Sequence, residues 1–525
     1  MRSDHASLDL EIGQALNGFP INLLKVYPRS FSKVNGLTYG LIRIPQGKKL
    51  AIVGDKPAIL ADPFRGKIFH GPSVLKLCGL SSENTQCLMS LFPYTKPIPL
   101  LNLKLTTIGT GDRLGVATPG HLRAVRKFHA RPVLAQQSVR ENDQTGRNYQ
   151  GVVRDAAWGI FQENYRKGYG ADGDHLKSLH EIKTALDAGV SMITLDLSEK
   201  LNPEAFQDSG EVIERKFKRE ISRETAKALS RCFLEKEFHF EGPHGDCRIR
   251  FTEESLKRNA LLYQKAIDFT EEVFEWIRSR KGCRSAVDFE ISIDETPFPT
   301  SPENHLFFIT QLNHRGVHVD SLAPRFIGEF QKAIDYRGDV KAFREQFYQH
   351  SLIAQYYGNY KISIHSGSDK FSVFPEIGKL AKDGVHLKTA GTSWLEAVRL
   401  IAQKSPVLYR EMHQFALSAF PEATKLYVVT TDLTRIPRLE SLRDEELPEL
   451  LEQEDSRQLI HITYGFLLNA KNREERFLFR DRFFSTLNQY EEDYWSRLER
   501  HFGNHLISLG VKKEKVHDSH QPDIH

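Results

Sequence analysis

Ten residues, GYGADGDHLK (168–177), hold three glycines, two aspartates, a histidine and a lysine, which is poor material for a packed strand. Glycine lets a backbone or a ligand come close, and Asp172, Asp174 and His175 are groups that move protons or bind metal. The same composition also suits an Asp/Gly turn leading into a helix N-cap. A second concentration is KISIHSGSDKF (361–371). Its alternating run delivers His365 to a strand end. Ser366, Gly367, Ser368, Asp369 and Lys370 then make a polar loop suited to anchoring an oxyanion through N–H, hydroxyl and ammonium groups. A lone strand-end histidine is ordinarily just hydrogen-bonded; paired with His175, it equally suggests a metal site. In AVDFEISIDE (286–295), Asp288, Glu290, Ser292 and Asp294 share one strand face, opposite Val287, Phe289, Ile291 and Ile293. Carboxylates facing a barrel interior are costly unless paired or metal-bound. Glu290 or Asp294 is therefore an acid/base candidate, with an ion-paired structural layer as the alternative.

These groups must be positioned by a strand-then-helix rhythm that runs from about 101 to 400. Candidate strands are 103–109, 132–139, 168–175, 191–197, 286–294, 316–323, 361–366 and 385–391. Helical patterns at 149–168, 180–189 and 302–316 each stop on glycine. Eight such units predict an α/β chain built on a (β/α)8 TIM-type barrel, with an open doubly wound sheet as the alternative. Residues 1–100 read as a small N-terminal α+β domain containing a hairpin at 37–54. The barrel occupies 101–435, and 436–525 form a helical C-terminal extension. The charged stretch at about 200–283 reads as a helical insert, a hairpin or lid on the active-site face. KLYVVTTDL (425–433) is one more strand-like run, and the last residues, KVHDSHQPDIH, read as frayed.

In a barrel the chemistry gathers at the C-terminal strand ends. That rule sets aside His314, which precedes Gly316 at a helix end on the opposite, stability face. On the correct side, Glu329 and Gln331 offer oxygen ligands. Asp112 and Arg113, Gln136 and Gln137, Arg140, Glu141 and Asn142, Asp196 and Ser198, and Lys388, Thr389 and Ser393 follow other strands. Together they describe a large polar pocket for a hydroxylated, anionic small molecule. Lys177, Lys370 and Lys388 are the candidates for holding its anionic group, with solvated lysines as the alternative. IGTGDRLG (108–115) resembles a dinucleotide fingerprint, but its third glycine falls one place late.

Composition narrows the class. Lys plus Arg total 72 against 68 Asp plus Glu, a formal charge of +4, which argues against nucleic acid as the main partner. The five cysteines, at 78, 87, 232, 247 and 283, form no Cys-x-x-Cys pair and no disulfide framework. The start lacks a basic and then apolar leader, and no apolar run is long enough to span a bilayer. A cytoplasmic enzyme with no membrane partner is expected; oligomeric state is not readable.

The motifs GDRLGVATPGH (111–121), GYGADGDHLK, DFEISIDET (288–296), LAPRFIGEFQKAIDYRGD (322–339) and HSGSDKF (365–371) occur in this order and resemble the tagaturonate/fructuronate epimerase family. The resemblance implies a divalent-metal enzyme of hexuronate catabolism that interconverts D-fructuronate and D-tagaturonate. It implies Asp174 and Glu290 as the acid/base pair and His175 and His365 as metal ligands. The third ligand is Glu329 by ligand chemistry or Gln331 by the family's spacing. Zn, Mn, Ni and Co all suit such a set. Ser366, Ser368 and the three lysines are the expected substrate contacts. The two ketoses differ at a carbon β to the ketone, which direct enolisation does not acidify. Retro-aldol cleavage and re-addition would invert that carbon. So would transient oxidation, which needs a nicotinamide site. A metal-dependent ketohexose epimerase, sugar isomerase or aldolase on the same barrel is the nearest alternative. A nicotinamide-dependent epimerase or dehydrogenase is the next.

Overall fold

Hydrophobic alternation in 25–78 builds five antiparallel strands: β1 (Lys25–Val34), β2 (Leu37–Ile44), β3 (Gly47–Gly54), β4 (Gly66–His70) and β5 (Val74–Cys78). They pair in the order β1-β2-β3-β5-β4. The expected hairpin is β2–β3, in register from Ile44 opposite Gly47 to Thr38 opposite Val53. In this computed structural model the described residues are 16, 19–71, 73–280, 287–381 and 383–514. Cys283, the tail at 515–525 and residues 1–15 lie outside them.

The remaining strands, apart from one small hairpin, form a nine-stranded parallel sheet that curls as in a TIM-like barrel. They are β6 (Thr106–Thr110), β7 (Ala130–Val133), β8 (Gln137–Ser138), β9 (Asp172–Leu176), β10 (Met192–Asp196), and then β13 (Asp288–Ile293), β14 (Ser321–Pro324), β15 (Lys361–Ile364) and β16 (His386–Thr389). The small hairpin is β11 (Phe238–Phe240) with β12 (Cys247–Ile249). The sheet order is β7-β6-β16-β15-β14-β13-β10-β9-β8. Val133 also bridges to Gly170 just before β9, where Leu134 N–H donates to Gly170 O at 2.8 Å.

Alternation sorts each strand into two faces. Ile193 and Leu195, Phe289, Ile291 and Ile293, Leu322, Ile362, Ile364 and Leu387 join one continuous core with the surrounding helices. The opposite faces are polar. Thr107 and His386 meet at 2.9 Å, and Ser321 donates to Glu290 at 2.5 Å. A barrel normally fills its interior with branched apolar side chains; here the interior is a hydrogen-bonded polar network.

The sequence reading needs three adjustments. The helix at 149–168 ends earlier, at Glu163, because Asn164 takes the left-handed C-terminal position. The 425–433 run forms no strand among the described residues, since its groups bond to side chains instead. Asp432 N–H donates to Asp455, and Thr430 and Thr431 donate to Gln331 and Gln458. The insert is helical, as Gly210–Glu220, Arg223–Phe233 and Glu253–Ser279, with the small hairpin between. It packs on the outer helix Pro302–His314 through Phe233, Phe251 and Phe307, and none of its described residues lines the central cavity. No helix of the described residues is long and apolar enough to cross a membrane.

Past residue 405 the helices Pro406–Ala423, Glu454–Ile462, Tyr464–Asn469, Arg480–Gln489 and Glu491–Ser508 follow. The last of them reaches the first strand. Lys25 pairs with Glu491 and Glu492 at 2.7 and 2.8 Å, and Arg43 with Glu491 at 2.7 Å.

Candidate functional site

A cavity of about 380 Å³ opens at the strand ends, bordered by Asp174, His175, Lys177, Asp196, His365, Ser366, Ser368 and Lys388. Four strands and one bulge bring these groups together. Pairing of β9 with β10 runs Asp172 opposite Met192 and Gly173 opposite Ile193, then skips to Leu176 opposite Leu195. One extra residue in β9 therefore interrupts the two-residue period and re-aims a side chain. His175 takes φ +53° at that point. Gly173 faces outward, where an added Cβ would stand 2.9 Å from Ala185 Cβ. Asp172, Asp174 and His175 all turn inward as a result.

The floor is a buried charge cluster. Lys388 Nζ lies 2.8 Å from Asp172, Asp174 and Glu290 and also donates to Thr194. Burial raises the Asp172 carboxyl to about 7, and Asp174 and Glu290 add to that rise against the pull of Lys388. Burial opposes ionisation of Asp174 too, but Lys388, His175 and His365 hold its carboxyl well below the usual range. Glu290 is likewise depressed by Lys388 and His365 despite its burial.

His175 and His365 face one another with ring centres 4.9 Å apart and planes at 73°. His175 Nδ1 is 3.3 Å from Asp196, while His365 sits between Glu290 at 2.9 Å and Asp294 at 3.2 Å. Burial pushes the His365 imidazolium down, but Asp294 and Glu290 overcome it and raise it to about 10. Its Nε2 faces Glu290 and its Nδ1 faces Asp294, so each ring nitrogen has a carboxylate beside it. Ligand atoms of His175, Asp196 and Glu295 lie within 4.8 Å of one another. Two facing imidazoles with the carboxylates of Asp196, Glu295 and Asp294 around them are a donor set that fits a divalent cation.

The other sequence candidates fall differently. Glu290 is not part of the cavity wall; it lies one layer down, touching Lys388, His365, Thr194 and Ser321. Lys370 is fully buried and donates to the carbonyls of Gln331, Ile334 and Ser368, so its ammonium ties two loops together. Lys177 pairs with Glu199 at 3.4 Å and Asp196 at 3.7 Å. Gln331 donates to Glu329, and its amide oxygen accepts from Thr430 and Gln458. Neither Glu329 nor Gln331 borders the cavity. The near-fingerprint at 108–115 is the end of β6 and a loop built on Asp112, whose carboxylate accepts from the N–H groups of Leu114, Gly115 and Ala117.

Sequence reasoning missed Lys332, Glu295, Tyr427 and His461, all on the cavity wall. His461 comes from the helix Glu454–Ile462, outside the parallel sheet, and no strand-end rule points to it.

A second trio, Asp369, His501 and His505, also brings ligand atoms within 4.8 Å. Its lone pairs are spent internally. His505 Nε2 accepts from Asp369 N–H at 3.0 Å, and Asp369 pairs with His501 at 3.0 Å and Arg457 at 2.8 Å. The trio fastens the 365–370 loop, in which Ser366 and Asp369 hold φ of +49° and +61°, to the C-terminal helices.

Comparison with known proteins agrees along nearly the whole chain. The family model described as tagaturonate epimerase matches residues 27–509. The tagaturonate/fructuronate epimerase of Thermotoga maritima is 38% identical over 491 residues, 92% of this chain and 97% of that protein. A glycerol-complexed crystal structure of fructuronate-tagaturonate epimerase UxaE from Cohnella laeviribosi is 45% identical and has a TM-score of 0.89, covering 98% of this chain and all of that one. The native crystal structure of the same enzyme gives 45% and 0.89 over 96% and 99% of the two chains.

Proposed function

The chain belongs to the tagaturonate epimerase family, and on that premise we propose how its cavity interconverts D-fructuronate and D-tagaturonate as a carbohydrate isomerase. We read β7 and β8 as one interrupted strand. The Val133–Gly170 bridge then leaves eight parallel positions around a closed ring, a (β/α)8 barrel carrying the N-terminal sheet and the C-terminal helices as attachments.

The observation that carries the mechanism is Asp174, ionised and held by Lys388, on the same cavity wall as the facing His175 and His365. The two histidines would hold a divalent cation, Zn, Mn, Ni or Co by donor type. The third ligand is drawn from the 329–331 stretch, and recruiting Gln331 requires its amide oxygen to exchange Thr430 and Gln458 for the ion. Such a cation supplies Lewis-acid polarisation of the substrate ketone and the hydroxyl beside it.

The residues do the proton work. Asp174 takes the hydroxyl proton from the carbon β to the ketone as the bond between the α and β carbons breaks. The bond's electrons pass to the ketone side as an enediolate, and the β carbon becomes an aldehyde. After the aldehyde turns its other face, the bond re-forms and Asp174 returns the proton. Glu290 acts from below by holding His365 and Lys388 in place. Chelator-stripped and metal-restored protein assayed with D-fructuronate, without nicotinamide, tests this reading. Metal-dependent formation of D-tagaturonate is expected; a restored enzyme that forms none overturns it.

A further inference from the structure

The lysines first suited to hold the substrate's carboxylate are occupied. Lys388 is held by three carboxylates, Lys370 by three carbonyls and Lys177 by Asp196 and Glu199. Arg113 on the cavity wall pairs with Glu141 at 2.7 Å. Among the described residues, two cavity-lining cations have no carboxylate partner, and they differ in setting. Arg140 is exposed at the rim and donates to Leu426 O. Lys332 is half-buried inside, and the hydrogen bond it makes, to Ser366 Oγ at 2.9 Å, leaves two of its N–H groups free.

A separate observation points to the same spot. His461 lines the cavity, is 1% exposed, and neither of its ring nitrogens has a hydrogen-bond partner. A buried polar ring left unsatisfied is costly unless something arrives to bond it. Both groups are held by one helix. Gln458 Nε2 donates to Lys332 O at 3.1 Å, Arg457 Nε donates to Ala333 O at 2.8 Å, and His461 lies one turn further along. The helix that carries His461 thus also fixes the backbone of Lys332 and of its neighbour Ala333.

We infer that Lys332, Ser366 and His461 form the subsite that receives the carboxylate of the hexuronate, and so make this enzyme prefer uronates to neutral ketohexoses. The inference rests on the epimerase reading above. Lys332 supplies a charge-assisted pair of N–H bonds, Ser366 fixes the ammonium, and neutral His461 donates one N–H to a carboxylate oxygen.

The test is steady-state kinetics of metal-restored wild type, Lys332→Met, Lys332→Gln and Lys332→Arg with D-tagaturonate, and with D-tagatose as the neutral counterpart. Removing the ammonium is expected to raise KM for D-tagaturonate at least 10-fold with kcat within about 3-fold, and to cut any uronate preference by a similar factor. Lys332→Arg should recover most of the loss, and the thermal midpoint of Lys332→Met should not fall, because no ion pair is broken. No wild-type turnover overturns the epimerase reading itself. Wild-type turnover with KM unchanged in both Lys332→Met and Lys332→Gln, or with kcat lost at constant KM, overturns the subsite alone.

Discussion

At the scale of single residues, the site separates groups that face substrate from groups that hold those groups. Asp174 belongs to the first kind and Glu290 to the second, and their substitutions should differ accordingly. Asp174→Asn removes the proton acceptor and should lower kcat roughly 10²- to 10⁴-fold with bound metal retained on elemental analysis. Glu290→Gln leaves Lys388 and His365 short of one counter-charge, so it should lower activity together with metal content and thermal midpoint. Wild-type turnover in Asp174→Asn would remove it from the mechanism. Both carboxylates could be read from the sequence because strand alternation puts them on the inward face. Which lysines were free could not, because the partners of Lys388 come from β9 and β13 and those of Lys370 from two loops. Pairing across the fold decides a lysine's role, and no local pattern encodes it.

At the scale of elements, strands such as 191–197, 286–294 and 361–366 were legible because apolar residues alternate along them, whereas GYGADGDH drew notice by its chemistry and not by such a pattern. The bulge in β9 was not. A strict two-residue period sets His175 on the face of Gly173, under the helix Leu179–Asp187, and only the extra residue turns it to the cavity. The run at 425–433 shows the opposite error, since its β-branched composition suits a strand while its hydrogen bonds go elsewhere. The helix Glu454–Ile462 is a wall of the site built from beyond the parallel sheet. It meets the loop after β16 at Gly391, where an added Cβ would lie 1.8 Å from the His461 ring. Gly391→Ala should therefore displace His461, lower stability by about 1–3 kcal/mol and raise KM for the hexuronate. Urea titration and kinetics on one preparation check both, and an unchanged KM would detach His461 from substrate.

At the scale of the whole molecule, burial has made many histidines neutral. His121, His350 and His386 are pushed down to about 3 and His413 and His505 to about 4. One chain shows how neutrality is used. His350 donates to Thr300 O at 3.1 Å, His305 donates to His350 at 2.8 Å, and Tyr360 donates to His305 at 2.6 Å. The ordinary histidine value is near 6.5, so between about 4 and 6.5 the unfolded chain binds more protons than the folded one. These histidines therefore lose their stabilising contribution as pH falls below 6.5. His175, His365 and His501, raised by carboxylates, and Asp172 and Asp288, raised to about 7, act in the other sense. His121 isolates the effect, because burial alone lowers it. His121→Gln should reduce the loss of stability per pH unit between 6 and 5 by about 1 kcal/mol. Parallel urea titrations at the two pH values measure it, and an identical slope in the two proteins would refute it.

The ion pairs from Lys25 and Arg43 to Glu491 set a clock on biosynthesis. Lys25 and Glu491 are 466 residues apart in sequence, so at ~5–20 residues per second the first strand waits roughly 20–90 s for its partner helix to leave the ribosome. Throughout that interval the surface around Tyr27 that the last helix covers stays bare. The nascent N-terminal sheet therefore keeps that surface uncovered until the helix Glu491–Ser508 has been made.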